Sequence, residues 1–196
     1  EALAGMPHKP SAVLLASSAN IYGNASAGFI DESVAPAPAN DYAVSKLAME
    51  HAARLRAGRL PIVTVRPFNY TGVGQAPHFL LPKIVSHFRR NEARIELGNL
   101  AIARDFSDVR MVARAYRRLL ALSPPGQAYN VCSGTASSLG SVIDTMSARP
   151  GQGNADPVTA RTAEDVSARS TRAGRGPRRA RGTGRRPWHR SPSRPR

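Results

Sequence analysis

The sequence contains few of the features that mark secreted or membrane-spanning proteins. Its 196 residues include a single cysteine, Cys132, so no disulfide can form within the chain. No apolar run approaches the roughly 18 residues of a membrane helix, and no signal peptide opens the sequence. These absences favour a reducing cytoplasm, which is the location that we predict. We expect no membrane partner and no metal site.

Acidic residues are also scarce, and the shortage is uneven along the chain. There are 28 Lys and Arg against 13 Asp and Glu, a formal net charge of +15. Residues 1–148 hold 15 basic and 10 acidic residues, whereas residues 149–196 hold 13 arginines, no lysine and 3 acidic residues. A strongly basic chain suggests a nucleic acid or another polyanion as its partner. Here that suggestion applies mainly to the last quarter of the chain.

Residues 149–196 contain little that could form a core. Their large apolar residues are Val158, Val166 and Trp188. These are too few to offset the entropy lost on ordering, so we predict a disordered tail. The favoured interpretation is sequence translated out of frame, because Arg, Pro, Gly and Ala dominate such products of GC-rich DNA. An unstructured linker or tail is the second interpretation. An arginine-rich nucleic-acid arm is the third, because the repeated aromatic residues used for base stacking are absent.

Residues 1–148 include a predicted strand that ends in serines. Residues 12–16 form a short apolar run of strand length, and Ser17 and Ser18 follow it directly. Ligands in open α/β sheets bind outside the carboxyl ends of the strands. We therefore expect the small hydroxyl side chains at this position to face a site.

A second feature is the segment D-Y-A-V-S-K at residues 41–46. Tyr42 and Lys46 are four residues apart, so they share one face of a helix. An ammonium one turn away favours the ionised form of a phenol, which suits the pair to proton transfer with a substrate hydroxyl or carbonyl. We predict a helix from residue 41 to about residue 56, with Asp41 as its N-cap.

The later residues alternate between strand and helix patterns. Residues 61–66 form the next predicted strand, parallel to the first because a helix connects the two. In a predicted helix at residues 109–122, we expect Tyr116, Leu119 and Leu120 to face a core. The remaining predicted elements are a helix at 79–90, strands near 95–98 and 128–134, and a helix from 139. This order predicts an α/β fold with a parallel sheet.

These motifs together resemble the extended short-chain dehydrogenase/reductase family, the NAD(P)-dependent enzymes of nucleotide sugars. The similar features are a strand followed by S-S-x-x-x-Y-G, a proline-rich loop, Y-x-x-x-K opening a helix, R-D-F at residues 104–106 and Y-N-V at residues 129–131. The resemblance covers about residues 1–148. It implies the C-terminal half of a Rossmann-like doubly wound parallel sheet and part of the small substrate lobe, followed by the tail at residues 149–196.

The resemblance also implies a catalytic set and part of a cofactor site. Ser18, Tyr42 and Lys46 would be the catalytic residues. Tyr42 and Lys46, together with Pro67, would contact NAD or NADP. Full-length members of the family also lead us to expect a homodimer.

A nucleotide-sugar substrate, GDP-linked by the closest resemblance, would be bound by four further residues. These residues are Asn20, Asn69, Lys83 and Arg104. Arg104 is the strongest candidate among them, because a planar guanidinium suits bidentate contact with phosphate.

Members of the family carry one motif that these residues lack. A G-x-x-G-x-x-G turn after their first strand lets the backbone approach the cofactor pyrophosphate at a helix N-terminus. The 196 residues contain no such turn. We therefore expect an N-terminally truncated domain with little or no activity of its own. The choice between NAD and NADP stays open.

The reaction is narrowed by the segments R-P-F-N-Y-T-G-V-G-Q at residues 66–75 and L-P-K-I at residues 81–84. They are most similar to GDP-6-deoxy-D-mannose reductases and GDP-mannose 4,6-dehydratases. Dehydratases use an extra acid, usually a glutamate two residues after the catalytic Ser or Thr, and Asn20 stands there. We therefore predict reduction of a 4-keto sugar, with hydride from NAD(P)H and a proton from Tyr42. A 4-epimerase uses the same three residues and stays open.

Two alternatives lie outside this reading. One is a basic protein that binds a polyanion or nucleic acid through its tail, and we regard it as the weaker hypothesis. The other is a non-catalytic fragment that pairs with a separately encoded cofactor half.

Overall fold

The computed structural model describes residues 2–24, 28–92, 94–122, 125–148 and 159–161 of the chain. Within these ranges the helices are α1 (Ala2–Gly5), α2 (Asp41–Arg54), α3 (Leu80–Arg89), α4 (Val109–Leu122) and α5 (Leu139–Ser147). The strands are β1 (Val13–Ala16), β2 (Ile62–Pro67), β3 (Asn69–Thr71), β4 (Arg94–Glu96), β5 (Ala103–Asp108), β6 (Ala128–Val131), β7 (Ala136–Ser138) and β8 (Thr159–Arg161). A 3₁₀ turn, Ala19–Tyr22, lies between β1 and α2.

The main sheet consists of three parallel strands in the order β1-β2-β6. Val13 pairs with Ile62 at one end of the β1–β2 ladder, and Thr64 pairs with Ala128 where β2 meets β6. Helix α2 connects β1 to β2, as a parallel crossover requires. The predicted strands at 12–16 and 61–66 and their parallel pairing are therefore confirmed. The Rossmann-like α/β class is confirmed with them.

Alternation along β2 distributes its side chains between two helical layers. Val63 and Val65 face the layer of α4, where they pack with Val112. Ile62 faces the opposite layer, where it packs with Ala53 of α2 and with α1. The sheet is thus covered on both faces. Burial on both sides explains why four of the six residues of β2 are apolar.

The segment after β2 builds a second lobe. Strand β3 pairs with β5 in parallel, and β5 pairs with β7 in antiparallel orientation. Helices α3 and α5 enclose a separate cluster of buried side chains with β4 and its following turn; its members are Ile84, Phe88, Ile95, Leu97, Leu139 and Ile143. Because β2 continues into β3 after one residue, the lobe begins at the carboxyl edge of the main sheet.

Strand β4 of this lobe pairs in parallel with β8. The sequence predicts no element at residues 159–161, which belong to the arginine-rich segment. The rest of the prediction for residues 149–196 falls outside the described residues.

Two details of the predicted helices need correction. Asn40, not Asp41, is the N-cap of α2, because its backbone is extended and its side chain accepts a hydrogen bond from the Ala43 amide over 2.9 Å. In α4, Tyr116 and Leu119 pack against the core as predicted, whereas Leu120 is 39% exposed. None of the helices described is long and apolar enough to cross a membrane.

The valine at the centre of the main sheet provides a test of this packing. Val63 is fully buried, and Val73 in the loop after β3 is fully exposed. We expect Val63→Ala to lower the free energy of unfolding by about 2 kcal/mol, because it removes buried methyl groups and leaves a cavity. Val73→Ala is the matched control and should change it by less than about 0.5 kcal/mol. Urea denaturation followed by circular dichroism measures both, and equal effects would contradict the assignment of the core.

Candidate active site

Strands β1 and β2 end together at one edge of the sheet. The Ser17 amide donates to the Val65 carbonyl oxygen over 2.8 Å. Ser18 then begins the 3₁₀ turn, and its Oγ accepts a hydrogen bond from the Asn20 amide over 3.2 Å. This contact uses an Oγ lone pair, so the Ser18 hydroxyl proton remains available as a donor. Both serines are buried, and Asn20 is exposed.

Helix α2 brings the Tyr42–Lys46 pair to the same edge. Lys46 Nζ donates to the carbonyl oxygen of Ala16, the last residue of β1, over 2.8 Å. The same nitrogen lies 5.6 Å from the centroid of the Tyr42 ring. Tyr42 is 52% exposed, and its phenol makes no hydrogen bond in the part of the chain that the structure describes. Because α2 also contacts the 3₁₀ turn, the three predicted catalytic residues converge on the end of β1.

A second tyrosine is partly buried and therefore less exposed than Tyr42. Tyr116 of α4 packs against the core cluster of the main sheet. Burial raises the pKa of Tyr116 to about 12, with smaller contributions from Tyr70 and Tyr42. Tyr116 therefore stays neutral at physiological pH, whereas the half-exposed Tyr42 is open to solvent or a ligand.

Two of the predicted substrate residues share a face of the second lobe. Asn69 pairs with Phe106 in register, and Arg104 lies two residues before Phe106 on β5. Alternation along a strand therefore places Asn69 and Arg104 on one side of this sheet. The Asn69 side-chain amide donates to the Asp105 carbonyl oxygen over 3.2 Å. Arg104 is exposed, and its guanidinium has no hydrogen bond among the described residues.

The two other predicted site residues have structural contacts. Lys83 is exposed on α3, and its Nζ donates to the Glu96 carbonyl oxygen of β4 over 2.9 Å. This contact ties α3 to β4 and does not join Lys83 to the edge of the main sheet. Pro67 is buried as the last residue of β2, where it pairs with Val131 of β6.

Asp105, next to Arg104, is a residue that the sequence reading did not single out. Its carboxylate accepts hydrogen bonds from the amides of Ser133, Gly134 and Thr135 at 3.0, 2.7 and 3.2 Å, and from the Ser133 hydroxyl at 2.8 Å. It thereby closes the turn between β6 and β7 onto β5. The only signal in the sequence was its place in the R-D-F motif.

A buried polar network behind the edge was also missed. Arg66 of β2 and Glu50 of α2 form a bidentate ion pair, with Nε–Oε1 at 3.0 Å and Nη2–Oε2 at 2.7 Å. The third contact of the guanidinium is Nη1 with the Tyr22 hydroxyl oxygen at 2.8 Å. Tyr22 in turn donates to Asn130 Oδ1 over 2.8 Å. The spacing of Glu50 could have indicated this network, because Glu50 follows Lys46 by four residues and so lies one turn further along α2.

The ion pair changes the acidity of both partners. Burial has the largest single effect and raises the pKa of Glu50. The hydrogen bonds from Arg66 and Ser17, together with the positive charges of Arg66 and Arg54, outweigh burial, so the pKa lies below its ordinary value. The hydrogen bonds that Arg66 donates to Glu50 also raise the pKa of Arg66. Both groups are therefore charged over the whole physiological range of pH.

The start of α4 is stabilised by Asp108, the last residue of β5. Its Oδ1 accepts a hydrogen bond from the Arg110 amide over 2.7 Å, and the Arg110 guanidinium bonds the same carboxylate. These contacts lower the pKa of Asp108 to about 2.

A cavity of about 250 Å³ lies between the loop at residues 32–36 and α2. Leu47, His51 and Arg54 line it on the side of the helix. None of the predicted site residues lines it, so we do not regard it as the candidate site.

Comparison with known proteins agrees with this geometry. Residues 1–132 match the NAD dependent epimerase/dehydratase family. A curated relative, GDP-6-deoxy-D-talose 4-dehydrogenase of Aggregatibacter actinomycetemcomitans, is 37% identical over 68% of this chain and 46% of its own length. Another, GDP-6-deoxy-D-mannose reductase of Pseudomonas aeruginosa, is 36% identical over 68% of this chain and 47% of its own length. The chain thus spans about half the length of the curated relatives it matches.

Solved structures show the same relationship. A Burkholderia cenocepacia protein proposed to be an epimerase is 61% identical, with a TM-score of 0.77 over 82% of this chain and 52% of that one. The structure of RMD from Pseudomonas aeruginosa complexed with NADPH is 36% identical, with a TM-score of 0.62 over 68% of this chain and 49% of that one.

The contact between Asp108 and Arg110 predicts a shifted titration. We expect Arg110→Ala to raise the pKa of Asp108 from about 2 towards its ordinary value of 3.8, because the main hydrogen-bond donor is lost. Since the folded pKa is the lower one, the ionised carboxylate stabilises the fold above pH 3.8. This stabilisation disappears as the pH falls through 2.

Carboxyl carbon NMR measures the titration directly. Arg114→Ala is the matched control, because Arg114 acts on Asp108 only through its charge and is the weakest of the causes. It should raise the pKa by less than Arg110→Ala does. Equal shifts in the two variants would show that the hydrogen bonds are not the cause.

Proposed function

The chain belongs to the NAD dependent epimerase/dehydratase family, and we propose that it supplies the catalytic and substrate-binding half of a nucleotide-sugar 4-keto reductase. The observation that carries the proposal is the hydrogen bond from Lys46 Nζ to the Ala16 carbonyl oxygen at 2.8 Å. It brings the Tyr42–Lys46 pair of α2 to the strand end that leads into Ser18. A phenol, an ammonium and a hydroxyl at one strand end suit proton transfer to a carbonyl oxygen.

Each of these residues has a distinct role in the proposed reaction. Tyr42 donates a proton to the carbonyl oxygen of the sugar as that oxygen gains negative charge. Ser18 donates a hydrogen bond to the same oxygen through its unused hydroxyl proton. Lys46 holds positive charge one turn from the phenol and so favours the phenolate that remains after proton transfer.

NAD(P)H, when bound, would supply the hydride for this reduction. Lys46 fits the ribose of such a cofactor, because one of its three N–H donors bonds Ala16 and two remain. Pro67, the buried last residue of β2, would contact the cofactor at the same edge of the sheet. The family name refers to NAD, whereas the RMD structure contains NADPH, so both cofactors belong in the test.

The proposed substrate is a GDP-linked sugar. The two curated relatives named above both act on GDP-linked 6-deoxy sugars according to their names. In this chain the exposed guanidinium of Arg104 lies on the same sheet face as Asn69, and the pair would contact the diphosphate. Lys83 of α3 would contribute positive charge towards the diphosphate, because its bond to the Glu96 carbonyl oxygen uses only one of its three N–H donors.

Reduction fits the site better than dehydration. The exposed residue two positions after Ser18 is Asn20, and a carboxamide cannot accept and return the proton that water elimination requires. A 4-epimerase would use the same three residues, and product analysis distinguishes it from a reductase.

Isothermal titration calorimetry with GDP-mannose tests the substrate assignment on the chain as it stands. We expect binding that Arg104→Ala weakens about tenfold or more, because a charged phosphate contact is lost. Arg117→Ala removes an equally exposed arginine on α4 and should change the dissociation constant less than twofold. Repeating the titrations with NADPH and with NADH present tests both cofactors. Circular dichroism confirms that each variant is folded.

Two results would count against the proposal. A folded chain that does not bind GDP-mannose would remove the sugar-nucleotide assignment. Equal losses in Arg104→Ala and Arg117→Ala would show that binding is a general effect of positive charge.

A further inference from the structure

We propose that Tyr22, Arg66 and Glu50 form a positioning unit that holds Ser18 and Tyr42 in a constant relative arrangement. This inference rests on the proposed function, because it concerns the residues that the reaction would use. None of the three touches the exposed face where Tyr42 lies, since Tyr22, Arg66 and Glu50 are 1%, 3% and 2% exposed. They act through the backbone segments that carry the catalytic residues.

The three residues of the unit lie on the segments that carry Ser18 and Tyr42 and on the strand between them. Tyr22 ends the 3₁₀ turn that Ser18 caps, four residues earlier. Glu50 lies on α2, eight residues after Tyr42. Arg66 lies on β2, between these two segments in space, and its side chain bonds both. One guanidinium thus links the serine segment to the tyrosine helix.

The contacts of the Arg66 guanidinium have a geometry that restricts both of its partners. A bidentate guanidinium–carboxylate pair fixes both distance and orientation, which a single hydrogen bond does not. The Arg66 guanidinium carbon also lies 5.3 Å from the centroid of the Tyr22 ring, so the ring is held on its face as well as at its hydroxyl. Five N–H donors in a planar fork leave little freedom to a buried arginine with three such contacts.

The unit continues into the loop at residues 30–37. Asn130 accepts from the Tyr22 hydroxyl, and its own side chain donates to the Ile30 carbonyl oxygen over 3.1 Å. The Asn130 amide donates to Glu32 Oε1 over 2.6 Å. The 3₁₀ turn is also tied to this loop by the Ala37 amide, which donates to the Ile21 carbonyl oxygen over 2.8 Å. The Ala37 amide therefore reports on the stability of the turn.

Amide hydrogen exchange by NMR tests the proposal without any ligand. Tyr22→Phe removes one hydroxyl and keeps the buried ring. We expect exchange of the Ala37 amide to rise about tenfold, because the turn loses the hydrogen bond between the Tyr22 hydroxyl and the charged Arg66 guanidinium. We also expect a rise of at least about threefold for the α2 amides around Glu50, because Glu50 and Tyr22 bond the same Arg66 guanidinium. The amides around Ile84 in the second lobe should not change.

Two further variants complete the experiment. Tyr129→Phe is the matched control, because its hydroxyl bonds only Gln127 among the described residues and should leave all these rates within twofold. Glu50→Gln tests the reverse direction and should raise exchange at Ala37. If Glu50→Gln does not fold, Tyr22→Phe decides the question by itself.

The outcomes separate a positioning unit from a merely structural one. A rise in Tyr22→Phe confined to Ala37 would overturn the proposal, and so would an equal rise at all amides including those around Ile84. The GDP-mannose dissociation constant should stay within twofold in Tyr22→Phe, because Arg104 and Asn69 lie outside the unit. Failure of the unmodified chain to bind GDP-mannose would refute the proposed function and leave the exchange result standing.

Discussion

The buried ion pair between Arg66 and Glu50 is the constraint on which the candidate site depends. Removing a carboxylate and a guanidinium from water costs several kcal/mol for each ion, and only good geometry with further hydrogen bonds repays this cost. The bidentate contact and the Tyr22 hydroxyl supply that geometry. As a result, α2 has one well-defined position on the sheet, and Lys46 reaches the end of β1 from it.

The second lobe depends on the same edge of the sheet. Strand β2 ends at Pro67, and β3 begins two residues later. The sheet face that carries Asn69 and Arg104 therefore starts where the edge of the main sheet ends. Asp105 then anchors β5 to the turn after β6 through three backbone amides. Because β6 is also the neighbour of β2 in the main sheet, Asp105 connects the two lobes.

Much of this architecture follows from local sequence patterns. The predicted strands at 12–16 and 61–66, their parallel pairing and the helix at 109–122 are confirmed, because apolar periodicity and length identify such elements well. The cap of α2 was misassigned by one residue because Asn40 and Asp41 are both good caps, and only the extended backbone of Asn40 decides between them. Strand β8 was not predicted because it lies in an arginine-rich segment without an apolar pattern.

The sequence by itself determined that Tyr42 and Lys46 share a helix face, that Ser17 and Ser18 follow a strand, and that basic charge is concentrated after residue 148. These are properties of single segments, and helical or strand periodicity reports them directly. The tertiary structure alone decided the partners of these side chains. Lys46 bonds Ala16, which is 30 positions away in the sequence, and Asp105 bonds a turn that is 28 to 30 positions away. Tyr22 bonds the side chain of Asn130, which is 108 positions away. Periodicity indicates which side of a segment is buried, but the choice of partner depends on how the segments pack against one another.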